Sequence, residues 1–361
     1  MKINLIFFLS DFSLGGAGNS IIRLCEYLSK KSIYNIVVIS IGQNPYKSKF
    51  NQKIKYIELE KKKLIYSIFN LNYIIKKNLD IKKKNILVSN IHYNNVACIL
   101  MLKKIKFLKI ILVERTPIEE LDIFFTLSSY LKNKLLKFLV RYLYKFADRI
   151  VVNSNGIKKG LKKLVTRKID VIYPPSIKNV NKKDKYNSNN NIVTISRLSK
   201  EKKIDLIIKA FEQIKFNYKF FIYGTGPEKE KLNKLIKNKK LQKKIFLMGH
   251  TSDPNNVLKK SKIFILNSIF EGCSNALIEA LNNNNIVLCS KSPGGNSEII
   301  LNGKGGNFFK TNDYNDLSEK ILMVMKNQKK FFKKTLFAKK FLNRFTYYNN
   351  FYKYDKLFKK I

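Results

Sequence analysis

Short apolar runs alternate with longer amphipathic stretches along almost the whole chain. No other feature narrows the fold as much. A strand covered on both faces reads as a continuous apolar run, and the helix covering it reads with a helical period. The alternation therefore predicts parallel sheets with helices on both faces. In the first half, strands fall at 2–8, 35–40, 54–59, 85–89, 109–113, 149–152 and 170–172, with helices at 19–30, 64–79, 93–103 and 130–147. Tyr173-Pro174-Pro175 stops the pattern, and 176–191 is a polar, Asn- and Lys-rich stretch that reads as a linker. The alternation restarts with strands at 192–195, 219–222, 244–247, 262–266 and 286–288, and helices at 204–214, 228–238, 275–281 and 317–327. The basic, aromatic tail from 329 onward reads as helical. The expected organisation is a doubly wound α/β domain over 1–175, a linker over 176–191, a second such domain over 192–340, and a helical tail over 341–361 that packs back on the first domain. Two such domains imply a cleft, and ligands of these sheets bind beyond the carboxyl ends of the strands.

With 361 residues the chain is long enough to bury two cores, and its recurring apolar runs exclude chain-wide disorder. Cys25, Cys98, Cys273 and Cys289 have no framework spacing, which excludes a disulfide scaffold and points to a reducing compartment. The longest apolar stretches, 107–113 and 137–146, are short or broken by Lys and Arg, well under the ~18–20 residues of a spanning helix. The opening Met-Lys-Ile-Asn-Leu-Ile-Phe-Phe-Leu fits a first buried strand before a glycine turn better than a signal peptide. Lys and Arg number 71 against 25 Asp and Glu, a formal charge of +46. One source of that excess is the codon usage of an AT-rich genome, spread over a solvated surface. The other is attraction to a polyanion, either nucleic acid or an anionic membrane leaflet. The basic residues are scattered without any folded nucleic-acid motif, so nucleic acid is the weaker partner.

The most informative stretch is Ile-Phe-Glu-Gly-Cys-Ser-Asn-Ala-Leu-Ile-Glu-Ala-Leu over 269–281. Glu271 and Gly272 fall in the loop leaving a strand, Ser274 caps the next helix, and Glu279 lies about one turn beyond its exposed N–H groups. Carboxylates accept bonds from hydroxyls and free N–H groups bind anions, which suits a ligand carrying both sugar hydroxyls and phosphates. Taken alone, the two carboxylates also fit a helix cap and an exposed helical Glu. Arg197 and Lys202 follow the strand at 192–195, where an Arg fork and a Lys point charge suit a diphosphate, or simply a basic surface. Tyr223-Gly224-Thr225-Gly226-Pro227 is a glycine turn after another strand. Ser292-Pro293-Gly294-Gly295-Asn296-Ser297-Glu298 offers consecutive N–H groups at a helix start.

Together these segments resemble the retaining GT-B glycosyltransferases of family four. Glu271 and Glu279 match the family's Glu-x7-Glu pair, Arg197 and Lys202 its Arg-x4-Lys pair, and Gly294, Gly295 and Glu298 its Gly-Gly-x-x-Glu loop. Leu14-Gly15-Gly16-Ala17-Gly18 looks like the family's first glycine loop. The segments Val151-Val152-Asn153-Ser154-Asn155-Gly156 and Val171-Ile172-Tyr173-Pro174-Pro175 resemble family segments too. The resemblance implies GT-B architecture: two Rossmann-like domains facing across a cleft, the second binding a nucleotide-sugar. Arg197 and Lys202 would stabilise the donor diphosphate, and Glu279 would hold the ribose. Glu271 would contact the transferred sugar. Gly272, Cys273, Ser274, Asn275 and Ala276 would line the donor site, and Gly249 and His250 would lie where the family holds the base. Gly16 would approach from the other domain, and His92 resembles the family's histidine near the donor sugar. Arg115, in a loop after a strand, suits an acceptor phosphate or plain solvent. The charge on the donor would be neutralised by side chains and a helix end, so no metal or other cofactor is expected. Two positions depart from the pattern: Cys273 stands where a bulky residue is frequent, and Lys203 where Gly is common.

Many members of the family extend glycans on polyprenyl diphosphate for polysaccharide or O-antigen assembly. The resemblance therefore implies a glycan or lipid-linked acceptor and a position at the inner face of the cytoplasmic membrane. The stretch 130–146 alternates basic and apolar groups. It fits a helix lying on anionic lipid, or a packing helix with one solvated face, and the packing reading takes up most of its apolar residues. The alternatives are a transferase acting on a soluble sugar and an inactive, basic nucleic-acid-binding protein.

Overall fold

The computed structural model describes residues 2–12, 16–42, 47–59, 64–124, 126–184, 186 and 190–361. The chain divides into two compact units, Met1–Pro175 with Tyr348–Ile361, and Ser176–Tyr347.

The first unit runs β1 (Ile3–Phe8), α1 (Gly16–Ser29), β2 (Tyr34–Ser40), β3 (Ile54–Glu58), α2 (Leu64–Lys77), β4 (Lys84–Asn90), α3 (His92–Leu102), β5 (Leu108–Glu114), α4 (Leu127–Leu143), β6 (Arg149–Val152), α5 (Asn155–Leu161) and β7 (Ile169–Val171). Its described strands form one sheet in the order β3-β2-β1-β4-β5-β6-β7, with every pairing parallel. All six residues of β1 are buried. Asn4 is tolerated there because it is bonded on both sides: its amide donates to Asn85 Oδ1 and its Oδ1 accepts from Asn35, both at 2.8 Å. Ile6, Phe8, Val37, Leu87, Leu112 and Ile150 of the sheet meet Val140 of α4 in the core.

The second unit runs β8 (Asn191–Ile195), α6 (Ile204–Glu212), β9 (Lys219–Tyr223), α7 (Lys229–Asn238), β10 (Ile245–Gly249), α8 (Pro254–Lys259), β11 (Ile263–Leu266), α9 (Asn275–Asn282), β12 (Ile286–Ser290), α10 (Asn296–Ile299), β13 (Asn307–Phe309), α11 (Tyr314–Lys326) and α12 (Gln328–Lys339). Its sheet order is β10-β9-β8-β11-β12-β13, again parallel throughout. Ile192, Ile207, Phe211, Phe220, Ile265 and Leu288 build its core. In both sheets the strand order reverses once, between β1 and β4 and between β8 and β11. Loops leaving such a switch point diverge and leave room for a ligand.

The last helix, α13 (Tyr347–Lys360), packs on the first unit. Phe358 meets Phe7 edge-on at 6.1 Å, and Asp355 accepts from Tyr34 at 2.7 Å and pairs with Lys31 at 2.9 Å. Two expected boundaries shift. The stretch 176–191 is not a loose linker over its first half: Asn181 N–H donates to Asn282 at 2.8 Å, and Lys339 reaches Asp184 at 2.7 Å. The tail does not leave the second unit at 341, because Phe345 carbonyl accepts from Ser176 and Ile177 and Arg344 donates to the Glu298 carbonyl. Among the described residues, no helix is long and apolar enough to cross a membrane.

Candidate active site

Apart from Gly16 and His92, which belong to the first unit, the expected donor residues lie in the second, on loops leaving the carboxyl ends of its strands or, for Asn275, Ala276 and Glu279, on α9. Arg197 follows β8. Its segment is pinned by the next strand's loop: Ser196 N–H donates to Tyr223 carbonyl at 3.0 Å and Leu198 N–H to Thr225 carbonyl at 2.9 Å. The glycines of 224–226 are explained by that contact. A Cβ on Gly224 would stand 1.8 Å from Ser196 O, and one on Gly226 2.3 Å from Leu198 O. The loop then reaches the third strand, where Gly224 N–H donates to Gly249 carbonyl at 2.7 Å. Arg197 and His250 are exposed, and Gly249 is half-buried. The Arg197 guanidinium makes no ion pair among the described residues.

Lys202 closes the single 3-10 turn Lys200–Lys202 and Lys203 follows it at φ 44°, ψ 41°, a left-handed backbone at the start of α6. The departure from Gly at this position therefore has a conformational cost. Lys202 Nζ contacts Glu271 Oε1 at 2.5 Å, and Ser268 Oγ donates to the same oxygen at 2.9 Å. The Glu271 backbone is held as firmly. It bridges Gly294, its N–H donates to Pro293 carbonyl, and its carbonyl accepts from Gly295 N–H. Gly294 has φ +111°, and a Cβ there would fall 1.5 Å from Glu271 O. The Gly-Gly loop thus holds Glu271 in place, and one of its N–H groups is used in doing so.

Beyond Glu271, Gly272, Cys273 and Ser274 are buried. The first N–H groups of a helix have no carbonyl within it. In α9 these belong to Asn275, Ala276 and Leu277, and Ser274 Oγ accepts the last of them at 3.3 Å. The Asn275 side chain is turned to Ser176, whose hydroxyl it accepts at 2.7 Å. Glu279 is half-buried on the next turn. Burial pushes the Cys273 thiol well up, with Glu298 adding to the shift, so it is no thiolate nucleophile.

In the first unit the register of β4 against β5 pairs Asn90 with Val113, so the loops after these strands start side by side. This brings His92 to Glu114: both are fully buried and Nδ1 stands 2.8 Å from Oε2. The other Glu114 oxygen accepts from Asn95 at 2.7 Å and from Tyr144 OH. Burial lowers the His92 pKa. The Glu114 charge, with smaller help from Glu120 and the Pro117 carbonyl, more than offsets this, and the net value is raised. Nε2 is 3.4 Å from Thr116 Oγ1. Arg115 is half-buried and donates from Nε to Asn90 Oδ1 at 2.9 Å. Burial draws its pKa down, with Tyr354 opposing. Gly16 is exposed as the first residue of α1, while Leu14 and Gly15 lie outside the described residues.

Glu114, Asn95 and Tyr144 escaped the sequence reading as a set. A carboxylate ending a strand directly after the apolar run 110–113 was the available signal, since such a group needs a partner.

Two family descriptions match the chain: Glycosyltransferase Family 4 over residues 14–176 and Glycosyl transferases group 1 over residues 176–337. The chain belongs to the group 1 glycosyltransferases of the GT-B fold. It is 25% identical over 337 residues, 91% of this chain and 90% of the other, to a Campylobacter jejuni enzyme. That enzyme is named GalNAc-alpha-(1->4)-GalNAc-alpha-(1->3)-diNAcBac-PP-undecaprenol alpha-1,4-N-acetyl-D-galactosaminyltransferase. A second Campylobacter jejuni relative is N-acetylgalactosamine-N,N'-diacetylbacillosaminyl-diphospho-undecaprenol 4-alpha-N-acetylgalactosaminyltransferase. It is 29% identical over 216 residues, 55% of this chain and only 58% of that protein's length. Anabaena HepE in complex with UDP-glucose shares the fold, with a TM-score of 0.80 at 15% identity over 99% of this chain and 100% of that one.

Proposed function

We propose that the protein is a retaining glycosyltransferase that moves a hexose or N-acetylhexosamine from a UDP-sugar to a glycan acceptor on polyprenyl diphosphate. It acts in cell-surface polysaccharide or glycoconjugate assembly, peripherally at the inner face of the cytoplasmic membrane and without bound metal. The names of the two Campylobacter jejuni relatives support the lipid-linked acceptor, and UDP-bound structures of the same fold support the donor.

The observation that carries the reading is the pairing of Lys202 with Glu271 beside the start of α9. A carboxylate for sugar hydroxyls and a cation for phosphate are held within one contact of each other. As the bond from the anomeric carbon to the diphosphate breaks, the departing oxygen gains negative charge. Lys202, Arg197 and the α9 N–H groups meet that charge already oriented, which is where electrostatics lowers a barrier. The acceptor oxygen bonds to the anomeric carbon on the face the diphosphate leaves, and its proton passes to the departing phosphate oxygen. Glu271 orients the sugar in this scheme. Its Oε1 is engaged by Lys202 and Ser268, which makes it a poor nucleophile for a double displacement.

Transfer of labelled sugar from UDP-glucose, UDP-N-acetylglucosamine and UDP-N-acetylgalactosamine to lipid-extracted acceptor tests the assignment. Arg197→Ala and Glu279→Ala are each expected to lose most turnover with unchanged circular dichroism. Near-normal rates in both variants would remove the site.

A further inference from the structure

Two carbonyls flank Lys202 along the chain, and each accepts a bond from the segment leaving β11. Ile269 N–H donates to the Glu201 carbonyl at 2.9 Å, and Asn267 Nδ2 donates to the Lys203 carbonyl at 3.1 Å. That segment is itself fixed by the next strand. Ser268 N–H donates to Ser290 Oγ at 3.0 Å, and the Ser290 hydroxyl donates to the Ser268 carbonyl at 2.8 Å. The turn carrying Lys202 is therefore fastened to the same segment that delivers Ser268 Oγ to Glu271.

Lys203 is where this turn is weakest. It joins the 3-10 turn to α6 at φ 44°, and its side chain does not cap the helix. A side chain in left-handed backbone is strained, so an untied Lys203 would favour extended or right-handed backbone. Either change turns the chain beside Lys202 and carries its ammonium away from Glu271. The local bonds are few. Lys202 N–H reaches the Ser199 carbonyl at 3.0 Å, Lys203 N–H reaches the Lys200 carbonyl at 3.4 Å, and the Lys203 carbonyl also accepts from Leu206 N–H at 3.1 Å. One more buried amide bond is of the same order as the strain it opposes.

Asn267 is 2% exposed, and its Oδ1 is buried with no hydrogen bond among the described residues. An amide bonded at one end only is a costly group to bury. Its contribution lies in the bond it donates.

We propose that Asn267 is a positioning residue for Lys202: its amide holds Lys203 in the left-handed turn that presents the Lys202 ammonium to the donor diphosphate. The inference rests on the reading of Lys202 as a diphosphate contact. It also accounts for a lysine at 203, where glycine is common in the family.

Hydrogen exchange of the full chain, read at the Lys202 and Lys203 amides, tests the proposal, with transfer from UDP-sugars measured in parallel. Asn267→Ala and Asn267→Val each remove the donor, and the second refills the space. Both are expected to speed exchange at Lys202 and Lys203 by about tenfold while β8 and β12 stay protected. Turnover is expected to fall by at least about tenfold in both. Lys203→Gly added to Asn267→Ala is expected to recover most of that turnover, because glycine holds the left-handed turn without strain. Loss of a mere core filler would not be repaired at 203. Unchanged exchange in both variants would overturn the proposal, as would a loss of turnover that Lys203→Gly leaves uncorrected. A wild type that transfers no sugar removes the transferase reading instead, and exchange at Lys202 still decides whether Asn267 holds the turn.

Discussion

Lys202 Nζ stands 2.5 Å from Glu271 Oε1, on loops that leave the neighbouring strands β8 and β11 where the sheet order reverses. Both side chains are mostly shielded from solvent, at 17% and 14% exposure, so the contact is screened less than a surface ion pair. Each residue therefore holds the other in place, and in the proposed function each also meets the donor. Lys202→Ala and Glu271→Gln are each expected to lower turnover by about 10²–10³-fold. The double variant is expected to lose less than the product of the two. Rates for all four proteins measure this coupling, and independent effects would show that the pair does not act as a unit.

His92 and Glu114 make a second pair, wholly inside the first unit. The folded His92 pKa is raised above its ordinary value of about 6.5. Its stabilising contribution is therefore fully present below the unfolded value and is lost as pH rises through the folded one. The chain has two histidines, so imidazole NMR with His250→Asn as the assignment control follows His92 directly. Glu114→Gln is expected to move its titration to lower pH and to cost about 3–5 kcal/mol of stability below that point, as breaking a buried pair does. An unmoved titration would contradict the pairing.

Lys203 and Gly294 occupy left-handed backbone with opposite consequences for substitution. Lys203 is at φ 44°, and Lys203→Gly relieves the strain of a side chain there. A gain of about 0.5–1 kcal/mol in urea unfolding is expected after the extra entropy of an unfolded Gly is subtracted. At Gly294 a Cβ would collide with the Glu271 carbonyl, so Gly294→Ala is expected to destabilise by at least about 1–3 kcal/mol and to displace Glu271. A stable, fully active Gly294→Ala protein would show that this loop does not set the position of Glu271.

Cys273 follows Glu271 and Gly272 but is buried with its thiol pushed well up. Iodoacetamide at neutral pH is expected to leave turnover intact, and Cys273→Ala to keep most of the rate. Inactivation prevented by Cys273→Ala would make the thiol functional after all.

Buried parallel strands were the legible part of the fold, because continuous apolar runs such as 5–9 and 286–289 leave little choice. Strand β13 has three residues and α10 four, too few to show any period. In α4, the alternation of basic and apolar groups did not state which side the sheet would take. The places of Arg197, Lys202 and Glu271 after strands and of Glu279 on a helix were readable from the strand-to-helix alternation, whereas the roles expected of them came from the resemblance. The bond between Lys202 and Glu271, and that between His92 and Glu114, needed strand adjacency. The sequence does not state that β8 lies beside β11 or β4 beside β5. The glycines at 224 and 226 read from the sequence as a turn, and what requires them is a contact the sequence does not state: their missing side chains make room for the carbonyls of Ser196 and Leu198.

The proposed function requires the second unit to hold a nucleoside diphosphate through Arg197, Lys202 and Glu279 without metal. Its most direct test is the melting temperature with UDP, GDP, ADP or a short single-stranded DNA, in chelator and moderate salt. A ligand that binds only the folded state stabilises by about 2.7 kcal/mol at a hundred times its dissociation constant. A selective rise with UDP, lost in Arg197→Ala and Glu279→Ala, is the predicted result. No rise with any nucleotide, together with a salt-sensitive rise with DNA, would contradict the account and make the basic surface the function.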